Sequence, residues 1–325
     1  MSRLGKYLKL IFIVLPITVV LVLFTSPQRV NPSEYVVGFV SRLNTDPIKL
    51  YQETLTDYYE PDTAWKFGER WGTATQPEIA GTSGIIVDIN TGKVLFERNS
   101  EQQMKIASLT KIMTAVVALE HKKPNDKIRV SYTAANVGEN SMGITEGEVY
   151  TLEELLYGLM LPSGNDAAYA IAEGVAGDPE MFVKWMNIKA RELGLKNTVF
   201  KDPSGLDDTT YSTAQDLARL TRYALKNPRF GQVVKTVEIE LPYSDSHKYL
   251  SLYNQTNLLT SYPGVAGVKT GFTEEAGLTL VTYASNGGYE LVGVVLNSID
   301  RKGDMILMLD HGFSTLGVVV EHDLL

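Results

Sequence analysis

The chain contains no cysteine. That excludes disulfides, thiolate metal sites, a cysteine nucleophile and a lipid-modified N-terminal cysteine. Histidine is scarce, with only His121, His247, His311 and His322. No Gly-x-Ser-x-Gly elbow accompanies them, so a serine–histidine hydrolase has no support. His-x-x-x-His spacing for zinc is missing, as is a phosphate-binding glycine loop. No metal and no cofactor is expected. A positive surplus is also lacking: the net charge is −8, without the footprint of a nucleic-acid binder. Any cationic site must be local.

What is present is enough for a full core. The chain has 325 residues, 44% hydrophobic and 21% charged, which fits an ordinary globular protein of one large domain or two small ones. Arg3, Lys6 and Lys9 precede an apolar run from Leu10 to Phe24, interrupted by Thr18 and kinked by Pro16. This is expected to be an uncleaved signal anchor or a cleaved signal peptide over residues 1–28, exporting the rest of the chain. Residues 29–80, with Tyr51, Tyr58, Tyr59, Trp65 and Trp71, read either as a stalk or as a helix docked on the domain that follows. They are too apolar for a disordered linker.

From Thr82 the pattern becomes regular. Gly84 to Asp88 and Lys93 to Arg98 alternate around Asn90-Thr91-Gly92, a hairpin signal. Helical periodicity runs from Ser108 to Glu120, with Ile112, Val116 and Leu119 on one face. Thr151-Leu152-Glu153-Glu154 is a capping-box start, Asp178-Pro179 opens another helix, and Thr213 with Asp216 starts one running to Leu225. Strands are expected at 237–241, 265–269, 278–285 and 290–296, the last two joined through Asn286-Gly287-Gly288. A final helix is expected at 304–316. The order implies an α/β fold: an antiparallel sheet flanked by helices, with an all-helical lobe inserted. The folded domain is placed at 81–318, with 319–325 as a tail.

Three strings, each occurring once, carry chemistry: Ser108-Leu109-Thr110-Lys111, Ser163-Gly164-Asn165 and Lys269-Thr270-Gly271. Ser108 opens a helical pattern, and Lys111 lies on the same face, within reach of its hydroxyl. Taken alone, this pair also reads as a helix cap with a solvated lysine. A lysine acts as a base only if part of it is neutral, and burial or a second cation, such as Lys269, lowers its pKa. Ser163 can relay a proton to a leaving amine and Asn165 can hold a carbonyl, although Ser-Gly-Asn-Asp also makes an ordinary turn. Lys269 and Thr270 suit a carboxylate, or Lys269 simply protects a sheet edge. Gly271 on an edge strand lets an extended substrate pair with the backbone. The N–H groups of Phe272 and Ser108 can form an oxyanion hole.

The ordered set resembles the penicillin-binding protein and serine β-lactamase superfamily. Leu161-Pro162-Ser163-Gly164-Asn165-Asp166-Ala167, Leu193 to Thr198 with Phe200, Ser204 to Asp207, and Gly264 to Thr273 with Ala276-Gly277 resemble the low-molecular-mass D-alanyl-D-alanine carboxypeptidases. The resemblance covers about 82–316. It implies a β-lactamase/transpeptidase-like fold, Ser108 as nucleophile, Lys111 as base and Ser163 as proton relay. Lys269 and Thr270 would bind a terminal carboxylate, assisted by Arg301. The implied substrate is the D-Ala-D-Ala end of a peptidoglycan stem peptide, with β-lactams as covalent inhibitors. The implied location is the outer face of the bacterial cytoplasmic membrane, attached by the N-terminal segment. Phe272 stands where some members carry histidine.

Rival readings are a DD-endopeptidase, a serine β-lactamase and a non-catalytic receptor on the same scaffold. No Glu-x-x-Leu-Asn element follows Ser163, which disfavours the major class of β-lactamase.

Overall fold

Short-range hydrogen bonds start most of the helices. The computed structural model describes residues 46–56, 60, 64–72 and 75–324. Helix α1 spans Pro47–Thr54, α2 Lys111–His121, α3 Leu152–Met160, α4 Asn165–Ala176, α5 Pro179–Glu192, α6 Ala214–Leu225, α7 Pro228–Lys235 and α8 Arg301–Thr315. The Thr151 side chain accepts from Glu154 N while Glu154 returns a bond to Thr151 N, the reciprocal box read from sequence. Asp178 caps α5 ahead of Pro179, and Thr213 caps α6.

Strands β1 (Ser83–Asp88), β2 (Val94–Arg98), β3 (Glu238–Leu241), β4 (Leu250–Tyr253), β5 (Val265–Thr273), β6 (Gly277–Asn286) and β7 (Tyr289–Ser298) complete the frame. A five-stranded antiparallel sheet runs β2-β1-β7-β6-β5, and β3 pairs with β4 in a separate hairpin. β6 turns into β7 through Gly287 and Gly288, both at positive φ, as a tight two-residue turn requires. All six residues of β1 are buried, as a central strand covered on both faces demands. On one face, Ile86, Leu95, Leu280, Leu291 and Val295 pack against Met305, Ile306, Met308, Leu309 and Phe313 of α8. The helical lobe lies between β2 and β5 in the chain, as expected.

Several boundaries differ from the sequence expectation. β5 continues to Thr273 because Gly271, Phe272 and Thr273 pair with Thr279, Leu278 and Gly277. Lys269-Thr270-Gly271 therefore lies inside the strand, as the edge-strand reading of Gly271 expected, and the strand ends four residues past Lys269. The final helix starts three residues early because the Asp300 side chain accepts from Gly303 N at 2.9 Å. The turn before α2 is a 3₁₀ turn over Ala107–Thr110, so Ser108 precedes the α-helix proper.

The described residues from Tyr51 onward form one compact unit. In the segment read as stalk or docked helix, Tyr51 is fully buried, Trp65 is buried, and Trp71 N donates to Val94 O at 2.8 Å. Tyr51 and Trp65, two of the aromatics that made this segment unlike a linker, are buried in it. Beyond α8, Val318, Val320 and Leu324 pack on the core cluster, so the expected tail folds back. The apolar run Leu10 to Phe24, with its signal-anchor reading, lies outside the described residues. Among the described residues no helix is long and apolar enough to cross a membrane.

Candidate active site

Two strained residues frame the site. Ala107, immediately before Ser108, has φ +48°, and Ser163 has φ +66°. Non-glycine residues rarely occupy this region, and they concentrate where function over-determines the backbone. The 3₁₀ turn at Ala107–Thr110 leaves Ser108 half-exposed while Lys111, one helical turn on, is completely buried.

Lys111 Nζ donates to Ser108 Oγ at 2.9 Å, to Asn165 Oδ1 at 2.7 Å and to the Ser204 carbonyl at 2.8 Å. Three acceptors match the three hydrogens of an ammonium, so the amine is fixed in direction. Burial pushes its pKa down to about 7, against the pull of the Asp202, Asp166 and Glu139 carboxylates. A fraction is thus neutral near pH 7, as a base requires. Lys269 is also buried, and its pKa falls through desolvation first, then through the charges of Lys111 and Arg301. This reverses the sequence argument in part. Burial, rather than the second cation, is the main cause at Lys111, while the repulsion between the amines is expressed at Lys269. Two amines coupled in this way titrate as a pair.

Gly271 touches the turn that carries Ser108. A Cβ there would meet Thr279 Oγ1 at 2.5 Å, Ser108 N at 3.0 Å and the Ile106 carbonyl at 3.1 Å. Thr270 is buried on the same strand, and Phe272 beyond it is 58% exposed. Arg301 donates to the Gly271 carbonyl at 2.8 Å, so its guanidinium is tied to the strand that bears Lys269 and Thr270. Asn165 uses Oδ1 on Lys111 and donates Nδ2 to the Gly138 carbonyl at 3.0 Å, leaving one Nδ2 hydrogen for a substrate. Ser163 lies two residues before Asn165, and Gly164 between them admits no side chain, because a Cβ would clash with Met142 N and the Gly158 carbonyl.

Three supports were missed in the sequence. Asp166 accepts from Met142 N, Gly143 N and Ile144 N and from Ser141 Oγ, binding the 141–144 loop to α4. Asp202 accepts from Ser204 N, Gly205 N and Asp207 N. That turn aims the Ser204 carbonyl at Lys111. Gly205 lies against Ala107, where a Cβ would fall 2.0 Å from the Ala107 carbonyl oxygen. Asp202-Pro203-Ser204-Gly205 has turn chemistry, but no local signal shows what its carbonyl faces.

Removing the Asp202 charge tests this arrangement. Asp202→Asn keeps an acceptor for Ser204 N but deletes a carboxylate that raises the Lys111 pKa. The acid limb of the kcat/KM profile should move to lower pH in a profile measured from pH 5 to 9. An unmoved limb would mean that Asp202 only shapes the turn.

Comparison with known proteins follows the same lines. A family model described as D-alanyl-D-alanine carboxypeptidase matches residues 71–300. The D-alanyl-D-alanine carboxypeptidase DacF of Bacillus subtilis (strain 168) is 40% identical over 241 residues, 71% of this chain and 62% of that protein. The match thus spans less than two thirds of the Bacillus protein's length. A D-alanyl-D-alanine endopeptidase of Pseudomonas aeruginosa is 38% identical over 65% of this chain and 69% of its own. The crystal structure of the Streptomyces K15 DD-transpeptidase superposes with a TM-score of 0.71 at 33% identity, covering 74% of this chain and 100% of that one.

Proposed function

This chain belongs to the D-alanyl-D-alanine carboxypeptidase family, and on that premise we propose that it is a serine hydrolase removing the terminal D-alanine from peptidoglycan stem peptides. The observation that carries the reading is the contact between Lys111 Nζ and Ser108 Oγ at 2.9 Å, made by an amine that burial keeps partly neutral.

Ser108 Oγ attacks the carbonyl between the two terminal D-alanines as its proton passes to Lys111. The Ser108 and Phe272 N–H groups face the developing oxyanion. Lys269 and Thr270 hold the terminal carboxylate, with Arg301 fixing their strand from behind. Collapse of the tetrahedral adduct breaks the C–N bond, and Ser163 passes a proton to the leaving D-alanine amine. Water then cleaves the Ser108 ester and releases the shortened peptide. A β-lactam acylates the same Ser108 when its ring amide opens. We place the enzyme in the bacterial cell envelope, on the outer face of the cytoplasmic membrane, with the basic-flanked apolar segment Leu10 to Phe24 as export signal and attachment.

The likeness to an endopeptidase keeps cleavage of D-Ala cross-links as a second activity of the same site. Free D-alanine released from a D-Ala-D-Ala pentapeptide is the direct assay. Ser108→Ala should lower it by on the order of 10³-fold or more. A folded wild-type protein that releases none would refute the reading. Mass spectrometry of treated muropeptides separates trimming from cross-link cleavage.

A further inference from the structure

The β3–β4 hairpin takes no part in the chemistry, yet it is fastened to the catalytic loop. Gln255, two residues past β4, donates its N–H to the Leu161 carbonyl at 3.1 Å and its Nε2 to the Pro162 carbonyl at 3.0 Å, directly before Ser163. In the connecting loop, the Ser246 carbonyl accepts from Val149 N at 2.9 Å and Lys248 N donates to Glu148 at 3.2 Å.

The two faces of this hairpin differ in kind. Pairing sets Glu238 opposite Tyr253, Ile239 opposite Leu252, Glu240 opposite Ser251 and Leu241 opposite Leu250. Cross-strand partners share a face, and successive residues alternate. Ile239, Leu241, Leu250 and Leu252 therefore form one apolar face, with Leu241 and Leu252 buried. The other face carries Glu238, Glu240, Tyr249, Ser251 and Tyr253. Tyr249 is 49% and Tyr253 60% exposed.

We propose that this outer face binds the glycan backbone of the polymer whose stem peptide enters the neighbouring catalytic groove. The inference rests on the peptidoglycan reading above and extends it to a second part of the same substrate. Tyrosine rings give broad, rigid surfaces with a polar edge, suited to the C–H faces of pyranose rings. Glu238 and Glu240 lie between and beside the rings as acceptors for sugar hydroxyls. The same two carboxylates repel anionic lipid headgroups and other polyanions, which favours a neutral hydroxyl-rich ligand over a membrane surface. Tyr249, just before β4, and Tyr253, at its end, stand four residues apart, about 14 Å of extended chain, so a ligand touching both is longer than one sugar. The Gln255 bonds to Leu161 and Pro162 tie the hairpin to the chain just before Ser163, so holding the glycan there raises the local concentration of its stem peptides.

The test uses uncharged glycan strands as probe, short β-1,4-linked N-acetylglucosamine oligomers without free carboxylates, and the full chain carrying Ser108→Ala. These strands should bind, and Tyr249→Ser with Tyr253→Ser should weaken binding at least about tenfold, while the corresponding phenylalanine pair retains most of it. In otherwise wild-type protein, the serine pair should leave D-alanine release from a free pentapeptide unchanged and slow release from glycan-linked pentapeptide about tenfold. Equal glycan binding by the parent and the serine pair, or no binding by the parent, overturns the proposal. Preferential binding to anionic vesicles also overturns it, by making the face a membrane contact. Glycan binding without any D-alanine release would instead remove the catalytic reading and leave this surface standing.

Discussion

Lys111→Met is expected to lower D-alanine release at pH 8 by about 10²–10⁴-fold, the range general-base catalysis supplies. The variant should still fold. Methionine fills similar space in a fully buried position, and removing an amine that resists desolvation offsets the donors lost to Asn165 Oδ1 and the Ser204 carbonyl. Acylation by a labelled penicillin measures the loss at the first chemical step. Retention of more than a tenth of the wild-type rate would remove Lys111 as the base.

The same substitution should change two pH dependences. The wild-type rate should rise as pH passes about 7, because only the neutral amine accepts the Ser108 proton. Stability has its own dependence, with a worked sign. The folded-state pKa of Lys111, about 7, lies below its ordinary 10.5, so between these values the unfolded chain binds more protons. Stability should therefore rise with pH across that window, and the cost of burying the charged amine is fully present below it. Lys111→Met removes this share of the slope, while Lys269, shifted in the same direction, still contributes a slope of the same sign. Urea midpoints from pH 6.5 to 10 would show the difference.

Lys189→Met is expected to destabilise the protein by about 3–5 kcal/mol, the usual cost of stripping one partner from a buried ion pair. Lys189 Nζ lies 2.9 Å from Glu120 Oε2 and 3.1 Å from Glu192 Oε2, and the Lys189 side chain is wholly buried. The Tyr223 hydroxyl donates to Glu120, and the Tyr51 hydroxyl donates to Glu192 at 3.1 Å, joining Tyr51 to the ends of α2 and α5. Burial already raises the Glu120 pKa, and losing Lys189 would raise it further. The variant's deficit should therefore be smallest at acid pH, where Glu120 takes up a proton, and should grow as pH rises above the carboxylate range. Because α2 begins with Lys111 and carries Glu120 near its end, activity should fall with the folded fraction rather than ahead of it. A midpoint shift worth under 1 kcal/mol would show the cluster to be structurally neutral.

Much of this protein was legible along the chain. Thr151 with Glu154, Asp178 with Pro179 and Gly287-Gly288 each act within four residues, so the hydrogen bonds and φ values they require can be read locally. Element ends were less legible where a side-chain cap or cross-strand pairing overrode the apolar pattern, as at Asp300 and at Phe272-Thr273. Among the site residues, Ser108, Lys111, Ser163 and Lys269 announced themselves through short strings. Asp166 and Asp202 did not, because each resembles a common turn or helix-start aspartate until its partners are known.

The sequence by itself determined the helix and hairpin starts, the sheet-and-lobe order and the residue types offered to the chemistry. Only the tertiary structure decided that the Lys111 amine is fully buried beside Ser108 with its pKa pushed down. Its acceptors at Asn165 and Ser204 come from 54 and 93 positions away, and the desolvation that lowers its pKa comes from the packing around it. Proton affinity depends on the local dielectric and on charges in space, and neither is set by neighbours in the chain.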